Sequence, residues 1–387
     1  MSLRAGLLGY AALAIVVVAV LRRDRGTDFD GYYEGGLAVL EGKSPYDAEG
    51  LERYPPAFAA TMAAFALLPY VVSIAVWSLI GVGLAAISVE GAARIAGAEG
   101  PAAFDRQRWL PLLLASPYLI DGLLQAQSQI LVLGAVIGAF WLAHRGKHVP
   151  AGIAIGAAAA LKLTPAIVVL YWLLRGRWRA LAGVAIGVAV VGGVVPVIAY
   201  GPRGAAEAYG TWAGETEWSL RQRTPIALEK SSRYSNQSPR ATIVRLFTGI
   251  RNPGSSHAVQ VNVARLRPEE ALRIIAWVNG VVAVVLLVAL LRRKSPAHEA
   301  ALLVLAMTLL SPIAWTPYFA ALVVSYACLA GGRLETRVAR AATWLTVVGS
   351  LGLASTWARA IGCVTWPSVL LLLALGWEMA RPTARRS

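Results

Sequence analysis

Two aspartates, Asp28 and Asp30, open the segment TDFDGYYEGGLAVLEGKSPYDAEGLERYPP, which runs from Thr27 to Pro56. This is the first long polar interval of a very apolar chain, and it holds seven carboxylates against two basic residues. A carboxylate so placed can take a proton from a hydroxyl as a general base, cap the helix that follows it, or contribute to a divalent cation site. Polar residues interrupt other apolar runs further along: Gln125 and Gln127 in QAQSQ, Lys162 between AAAAL and LTPAIVVL, Asn236 and Gln237 in SNQS, and Trp315 in LLSPIAW. An ammonium within a membrane costs about 2.5–3.5 kcal/mol and marks a functional site by default, unless the side chain snorkels to the interface. Pro165, just beyond Lys162, breaks the helix there and frees backbone groups to face an anion. Gln127 is suited to a hydroxyl or a phosphate oxygen, or to ending a helix.

The elements that must position these residues are membrane helices. The chain of 387 residues is 57% hydrophobic and 15% charged, against about 45–50% and 25% in soluble domains. Its apolar runs recur from end to end, so the expected fold is an all-α polytopic membrane protein. At about 20 apolar residues per crossing, with shorter runs where protein covers them, we mark twelve spans: Ala5–Leu21, Val71–Val89, Trp109–Ile120, Gln129–Ala143, Val149–Leu161, Leu163–Leu174, Ala180–Tyr200, Ala271–Leu291, Ala300–Leu310, Pro317–Ala330, Ala341–Trp357 and Ile361–Met379. The first reads as an uncleaved helix, because RRDRG rather than a small-residue cleavage site follows it.

The net charge of +15 does not point to nucleic acid, because the basic residues form short clusters between apolar runs. Such clusters mark cytoplasmic loops. Setting Arg145/Lys147, Arg175/Arg177/Arg179, Arg292/Arg293/Lys294, Arg333/Arg337/Arg340 and Arg381/Arg385/Arg386 inside places both termini in the cytoplasm. Parity then leaves Ala57–Pro69, bounded by prolines, as an interfacial or re-entrant helix rather than a crossing. Arg22, Arg23 and Arg25 run against the rule and are outvoted. The chain reads as a single domain with two long extracytoplasmic loops, 22–70 and 201–270. On this topology Asp28, Asp30, Gln127, Lys162, Asn236, Gln237 and Trp315 all fall on the outer side, as a site at the lipid–water boundary requires. Cys328 and Cys363 lie in or beside apolar runs, with no spacing that suits zinc, and read as inert thiols.

The spacing DFxxYY, then EGKSPY, then RYPP resembles the start of glycosyltransferase family 87. LLQAQSQILVL, AGIAIGAAAALKLTP, YSNQSPRATIVRLF and LLSPIAW resemble later motifs of that family, in the family's order, up to about Tyr318. The resemblance implies the GT-C fold and an inverting, metal-independent transfer of a sugar, mannose in the best-known members, from a polyprenyl-phosphate donor to a hydroxyl. It implies Asp28 as general base with Asp30 in support. Lys162, with Arg240 and Arg245 behind it, would meet the donor phosphate, and Tyr32, Tyr33, Gln127, Asn236, Gln237 and Trp315 would meet substrate. The partners would be the lipid-linked sugar, a lipid or glycan acceptor and membrane lipids, with the protein in the plasma membrane, its site on the extracytoplasmic side. The chain departs from the family in three places: Ala126 and Ala241 stand where members carry Gly, and the pair Pro317 and Tyr318 stands where many carry a His pair. The rival readings are a family member without activity and a transporter or flippase for a lipid-linked solute. Transporters usually show internal repeats, and this chain has none.

Overall fold

The computed structural model describes residues 26–47, 51, 54–98, 100–221, 232–250, 259–292 and 295–381. The expected first span and the arginines at 22, 23 and 25 lie outside them. The described residues form helices and turns without a β-strand. They divide into two compact units, Met1–Gly91 with Leu119–Leu220, and Ala92–Tyr118 with Arg221–Ser387.

In the first unit, α1 (Asp28–Leu40) packs on α2 (Pro56–Ala66). Gly36 makes the approach possible: a Cβ there would run into the backbone of Met62. Eight of the eleven residues of α2 are buried, so protein encloses this short helix on most sides. Phe29, Tyr32, Tyr54, Phe58, Met62 and Trp77 form one aromatic-rich core beneath α1, with Trp77 contributed by α3 (Tyr70–Ile95). Next come α4 (Pro101–Leu124), which like α3 has residues in both units, α5 (Ser128–His144), α6 (His148–Leu161), α7 (Ala166–Leu174) and α8 (Trp178–Gly187).

The tightest contact in the unit is between α6 and α8, and its cause is visible in sequence. Gly152 and Gly156 on α6, and Gly183 and Gly187 on α8, are each spaced by four. A Cβ on Gly152 would strike the carbonyl of Ala180, and one on Gly156 the carbonyl of Val184. One on Gly183 would strike that of Val149, and one on Gly187 that of Ile153. Small residues at this spacing let helix backbones touch, which is how helices associate where lipid removes the hydrophobic drive.

Beyond α8 the helix opens into a π-helical stretch, Val188–Val194, and resumes as α9 (Val195–Arg221). Gly201 breaks α9 with φ 73° and ψ 167°, a region open essentially to glycine alone, and Pro202 follows. The Tyr209 hydroxyl donates to the Gly192 carbonyl at 2.6 Å. A straight helix would hold residues 17 apart about 25 Å from each other, so the chain must reverse at Gly201. The straight run therefore ends near Tyr200, and the expected outer loop begins as a returning helix. Two stretches of that loop, 222–231 and 251–258, lie outside the described residues.

The second unit contains α10 (Pro239–Phe247), α11 (Pro268–Leu291), α12 (Pro296–Leu309), a 3-10 turn at Thr316–Leu322, α13 (Val323–Ala330), α14 (Arg337–Leu351), α15 (Thr356–Ile361) and α16 (Thr365–Ala380). Every residue of α12 from Ala297 to Leu309 is buried, so this helix is the centre of its unit. Its start is held by a polar joint. Ser295 caps it and meets Nδ1 of His298 at 2.7 Å, and His298 Nε2 lies 3.2 Å from Glu378 Oε2 on α16. The other Glu378 oxygen accepts the Thr336 N–H at the start of α14.

Among the described residues, three helical stretches are long and apolar enough to cross a membrane: Tyr70–Ile95, Trp178–Gly214 and Pro268–Leu291. Large apolar side chains line their outsides, including Leu79 and Ile80 on α3 and Val284, Leu287 and Val288 on α11. Contiguous exposure of this kind belongs against lipid rather than water. Of the other expected spans, Gln129–Ala143, Val149–Leu161, Ala300–Leu310, Pro317–Ala330 and Ile361–Met379 coincide with shorter apolar helices, and Trp109–Ile120 with the proline-interrupted α4. Leu163–Leu174 falls on the nine-residue α7, and Ala341–Trp357 runs past the end of α14 at Leu351 into α15.

Candidate active site

Asp28 is the first residue of α1 and is exposed, while its neighbour two positions on is occupied with the helix end. Asp30 Oδ2 accepts the Thr27 N–H at 2.6 Å, the reciprocal half of a capping box. Its other oxygen accepts from the hydroxyl of Tyr70. Capping is therefore the work of Asp30, and the Asp28 carboxylate accepts a hydrogen bond from Nε2 of Gln127.

Gln127 is aimed by an unusual turn. Ala126 has φ 50°, the one non-glycine residue at positive φ among the described residues. Its carbonyl accepts the indole N–H of Trp77 at 2.8 Å. The left-handed region costs an L-residue about 1–2 kcal/mol, which explains why a glycine suits this position in the family pattern. Alanine holds the same turn here because its methyl is buried in the aromatic core and its carbonyl is tied. The second departure, Ala241, is ordinary helix in α10, where its N–H donates to the Ser238 cap at 3.1 Å and no glycine is required.

Next to Gln127, Ser128 starts α5 and receives two phenols. Tyr54 lies 2.8 Å from its Oγ, Tyr32 lies 3.4 Å from it, and the two phenols are 2.9 Å apart. Burial, with the Tyr54 phenol and the Asp28 carboxylate nearby, pushes the Tyr32 phenol well above the usual tyrosine range, so it remains a neutral hydroxyl. Lys162 follows the last turn of α6 in an extended conformation, φ −156° and ψ 125°. Its side chain is only 9% exposed, and its ammonium sits 5.3 Å from the centre of the Tyr54 ring, a cation–π arrangement. The start of α5 thus serves both charges: Gln127 holds Asp28, and Ser128 holds the tyrosine that faces Lys162. Tyr33 is placed differently, its hydroxyl donating to the Leu68 carbonyl at 2.9 Å.

In the second unit the SNQS and LLSPIAW segments meet. Asn236 Oδ1 accepts the N–H of Ser238 at 3.1 Å and of Ala314 at 3.0 Å, and the Asn236 and Trp315 backbones form a bridge. Gln237 donates to the carbonyls of Tyr234 and Arg359, both at 2.8 Å. These fully buried amides, expected to meet substrate, are occupied with backbone groups. Arg245 has the same fate. It is 3% exposed, and its guanidinium donates to the carbonyls of Ala360, Arg233, Asn236 and Arg359 and to Thr242 Oγ1. Burial lowers its pKa to about 10, so it stays charged at neutral pH. Arg240 is half-buried, and its Nε has no hydrogen-bond partner among the described residues. Pro317 and Tyr318 open the 3-10 turn after Trp315, where Tyr318 N–H donates to the Trp315 carbonyl at 2.9 Å.

Arg245→Met is expected to leave several buried carbonyls without donors and to cost about 3 kcal/mol or more. Thermal unfolding of detergent-solubilised protein, followed by loss of the monodisperse size-exclusion peak, measures it.

Long apolar helices with outward apolar faces, and a carboxylate and an ammonium held by one helix start, define a helical membrane protein with a polar site. The chain belongs to glycosyltransferase family 87, whose family model matches residues 53–312, two thirds of its length. That range takes in Gln127, Lys162 and the SNQS segment and leaves Asp28, Asp30 and Trp315 outside. No curated protein matches the sequence. Among solved structures, the crystal structure of ArnT from Cupriavidus metallidurans bound to undecaprenyl phosphate is 18% identical, with a TM-score of 0.40 over 97% of this chain and 77% of that one.

Proposed function

We propose that this membrane glycosyltransferase moves a sugar, in our reading mannose, from a polyprenyl-phosphate donor to an acceptor hydroxyl at the extracytoplasmic face of the plasma membrane. Membership of the family carries the reading. The roles follow from the chemistry that transfer needs. An acceptor hydroxyl attacks the anomeric carbon, Asp28 takes the hydroxyl proton, and the bond from that carbon to the phosphate oxygen breaks with inversion. The departing phosphate gains negative charge, and a fixed cation in a water-poor setting stabilises it most effectively. Lys162 fits that role, being nearly buried with its ammonium 5.3 Å from the centre of the Tyr54 ring.

Gln127 orients Asp28, and the Tyr32–Tyr54–Ser128 hydroxyls hold the wall between base and cation. In the second unit, Arg240 is the residue we propose for a phosphate contact and Trp315 for a substrate contact, with Asn236, Gln237 and Arg245 shaping the backbone. The twelve-span GT-C organisation and cytoplasmic termini belong to the same proposal, as does transfer without a metal.

The test is turnover of radiolabelled polyprenyl-phosphate mannose by protein in lipid nanodiscs, in buffer containing EDTA, with membrane lipids and glycans as acceptors. Appearance of labelled glycoside supports the reading. Movement of label across a vesicle membrane without any glycoside would favour a transporter instead. Lys162→Met is expected to weaken binding of polyprenyl phosphate about tenfold or more, whereas Lys162→Arg retains part of it. Titration of the lipid by native mass spectrometry measures the difference.

A further inference from the structure

The reversal at Gly201 carries a second group of aromatic side chains into the first unit. Tyr209 is anchored on the Gly192 carbonyl at 2.6 Å, and its ring meets that of Trp212 edge-on at 6.3 Å. Tyr200, just before the reversal, donates to the Pro56 carbonyl at 3.1 Å, while Tyr46 reaches the Tyr54 carbonyl at 3.4 Å. Carbonyls two residues apart thus hold phenols from the first loop and from α9. All four rings are half-buried, so they are fixed without being sealed into a core. Tyr54, which receives Tyr46 on its backbone, is the residue whose ring faces Lys162. The group therefore adjoins the candidate active site within one unit.

One atom in it is unexplained by the fold. Trp212 Nε1 is shielded from water and has no hydrogen-bond partner among the described residues. Native proteins rarely leave such a donor unused, and doing so costs about 1–3 kcal/mol. The phenol of Tyr46 is held above the usual tyrosine range by burial and by the Tyr200 and Tyr209 phenols, so it too remains a neutral hydroxyl.

We propose that Tyr46, Tyr200, Tyr209 and Trp212 form a carbohydrate subsite for the acceptor glycan. A sugar ring offers C–H faces to aromatic rings and hydroxyl oxygens to an indole N–H. A prenyl chain would pack on the rings and leave that N–H without a partner. The shielding of Nε1 requires the Trp212 ring to turn as the sugar enters. The proposal rests on the glycosyltransferase reading, and it assigns the returning helix of α9 to acceptor recognition.

The test uses the full-length protein in nanodiscs and a panel of mannan, arabinan, glucan and galactan oligosaccharides, with dissociation constants from saturation-transfer NMR. The wild-type protein is expected to bind at least one of them. Trp212→Phe, which keeps the ring and removes the N–H, should weaken it several-fold, and Trp212→Ala and Tyr46→Ala about tenfold. Polyprenyl phosphate should bind all variants as it binds the parent, which also confirms that they are folded. Failure of the wild type to bind any oligosaccharide overturns the proposal, as does binding that Trp212→Phe and Tyr46→Ala both leave unchanged. Weakened binding of neutral polyprenol in these variants overturns it in favour of a prenyl groove. Absence of polyprenyl-phosphate binding in the wild type would instead remove the functional reading beneath it.

Discussion

Asp28→Asn is expected to fold like the parent and to lose sugar transfer by about 10²–10⁴-fold, the usual contribution of a positioned general base. The asparagine oxygen can still accept from Gln127, so the side chain keeps its direction and loses only its basicity. Stability should change little, because the helix end is held by Thr27 and Asp30. Loss of one negative charge from a first helical turn costs about 0.3–1 kcal/mol. The informative partner is Asp30→Asn. It removes the carboxylate from the capping box and from Tyr70, costs about 1 kcal/mol, and leaves most of the turnover. Glycoside formation from radiolabelled donor, beside thermal midpoints, separates the two. Full activity in Asp28→Asn, with loss in Asp30→Asn, would transfer the base to Asp30.

The second large effect is structural. Gly156→Leu should prevent the protein from accumulating in the membrane, because its side chain would enter the carbonyl of Val184 on α8. Overpacked cores commonly lose about 1–3 kcal/mol by shifting side chains. Here the obstacle is backbone, so the helices themselves must separate and the loss should exceed that range. Gly156→Ala is the graded version, expected to survive at a lower thermal midpoint. Since Lys162 directly follows α6, its residual turnover should show weaker polyprenyl-phosphate binding than its stability predicts. A Gly156→Leu protein with the parent's yield and thermal midpoint would disprove the close contact.

Much of the helical layout was legible from apolar runs, because each run needs a hydrogen-bonded backbone where water is scarce. The end of an apolar run at Tyr200 was legible too, because polar sequence follows it. That the helix then resumes and returns was not, since it depends on one backbone angle and a phenol–carbonyl bond. Among candidate site residues, Lys162 announced itself as a charge within apolar sequence, whereas Asp28, one of seven carboxylates in its segment, was singled out by the family resemblance. Gln127 stood out for its polarity, but polarity could not show that its partner is Asp28, 99 positions away. Tyr54 and Ser128 sit within RYPP and QAQSQ, where nothing in the sequence alone sets them apart. A hydroxyl in a motif becomes informative only when the other chain segment is in view. Asn236, Gln237 and Arg245 teach the converse. Their motif requires buried polar groups to be satisfied, and in this fold backbone carbonyls and N–H groups satisfy them.

The openness of Asp28 at the start of α1 carries a consequence for fidelity. In the proposed role of general base, Asp28 would pass a captured proton directly to bulk solvent, and turnover would need no internal relay to reset the carboxylate. The same openness admits a competitor, since water can surrender its proton to that oxygen as a sugar hydroxyl does. On the proposed mechanism, wasteful hydrolysis of the lipid donor would be held back by order of arrival, with the acceptor seated before the donor bond loosens. The ratio of free sugar to glycoside, followed as acceptor concentration rises, reports how strictly that order is kept.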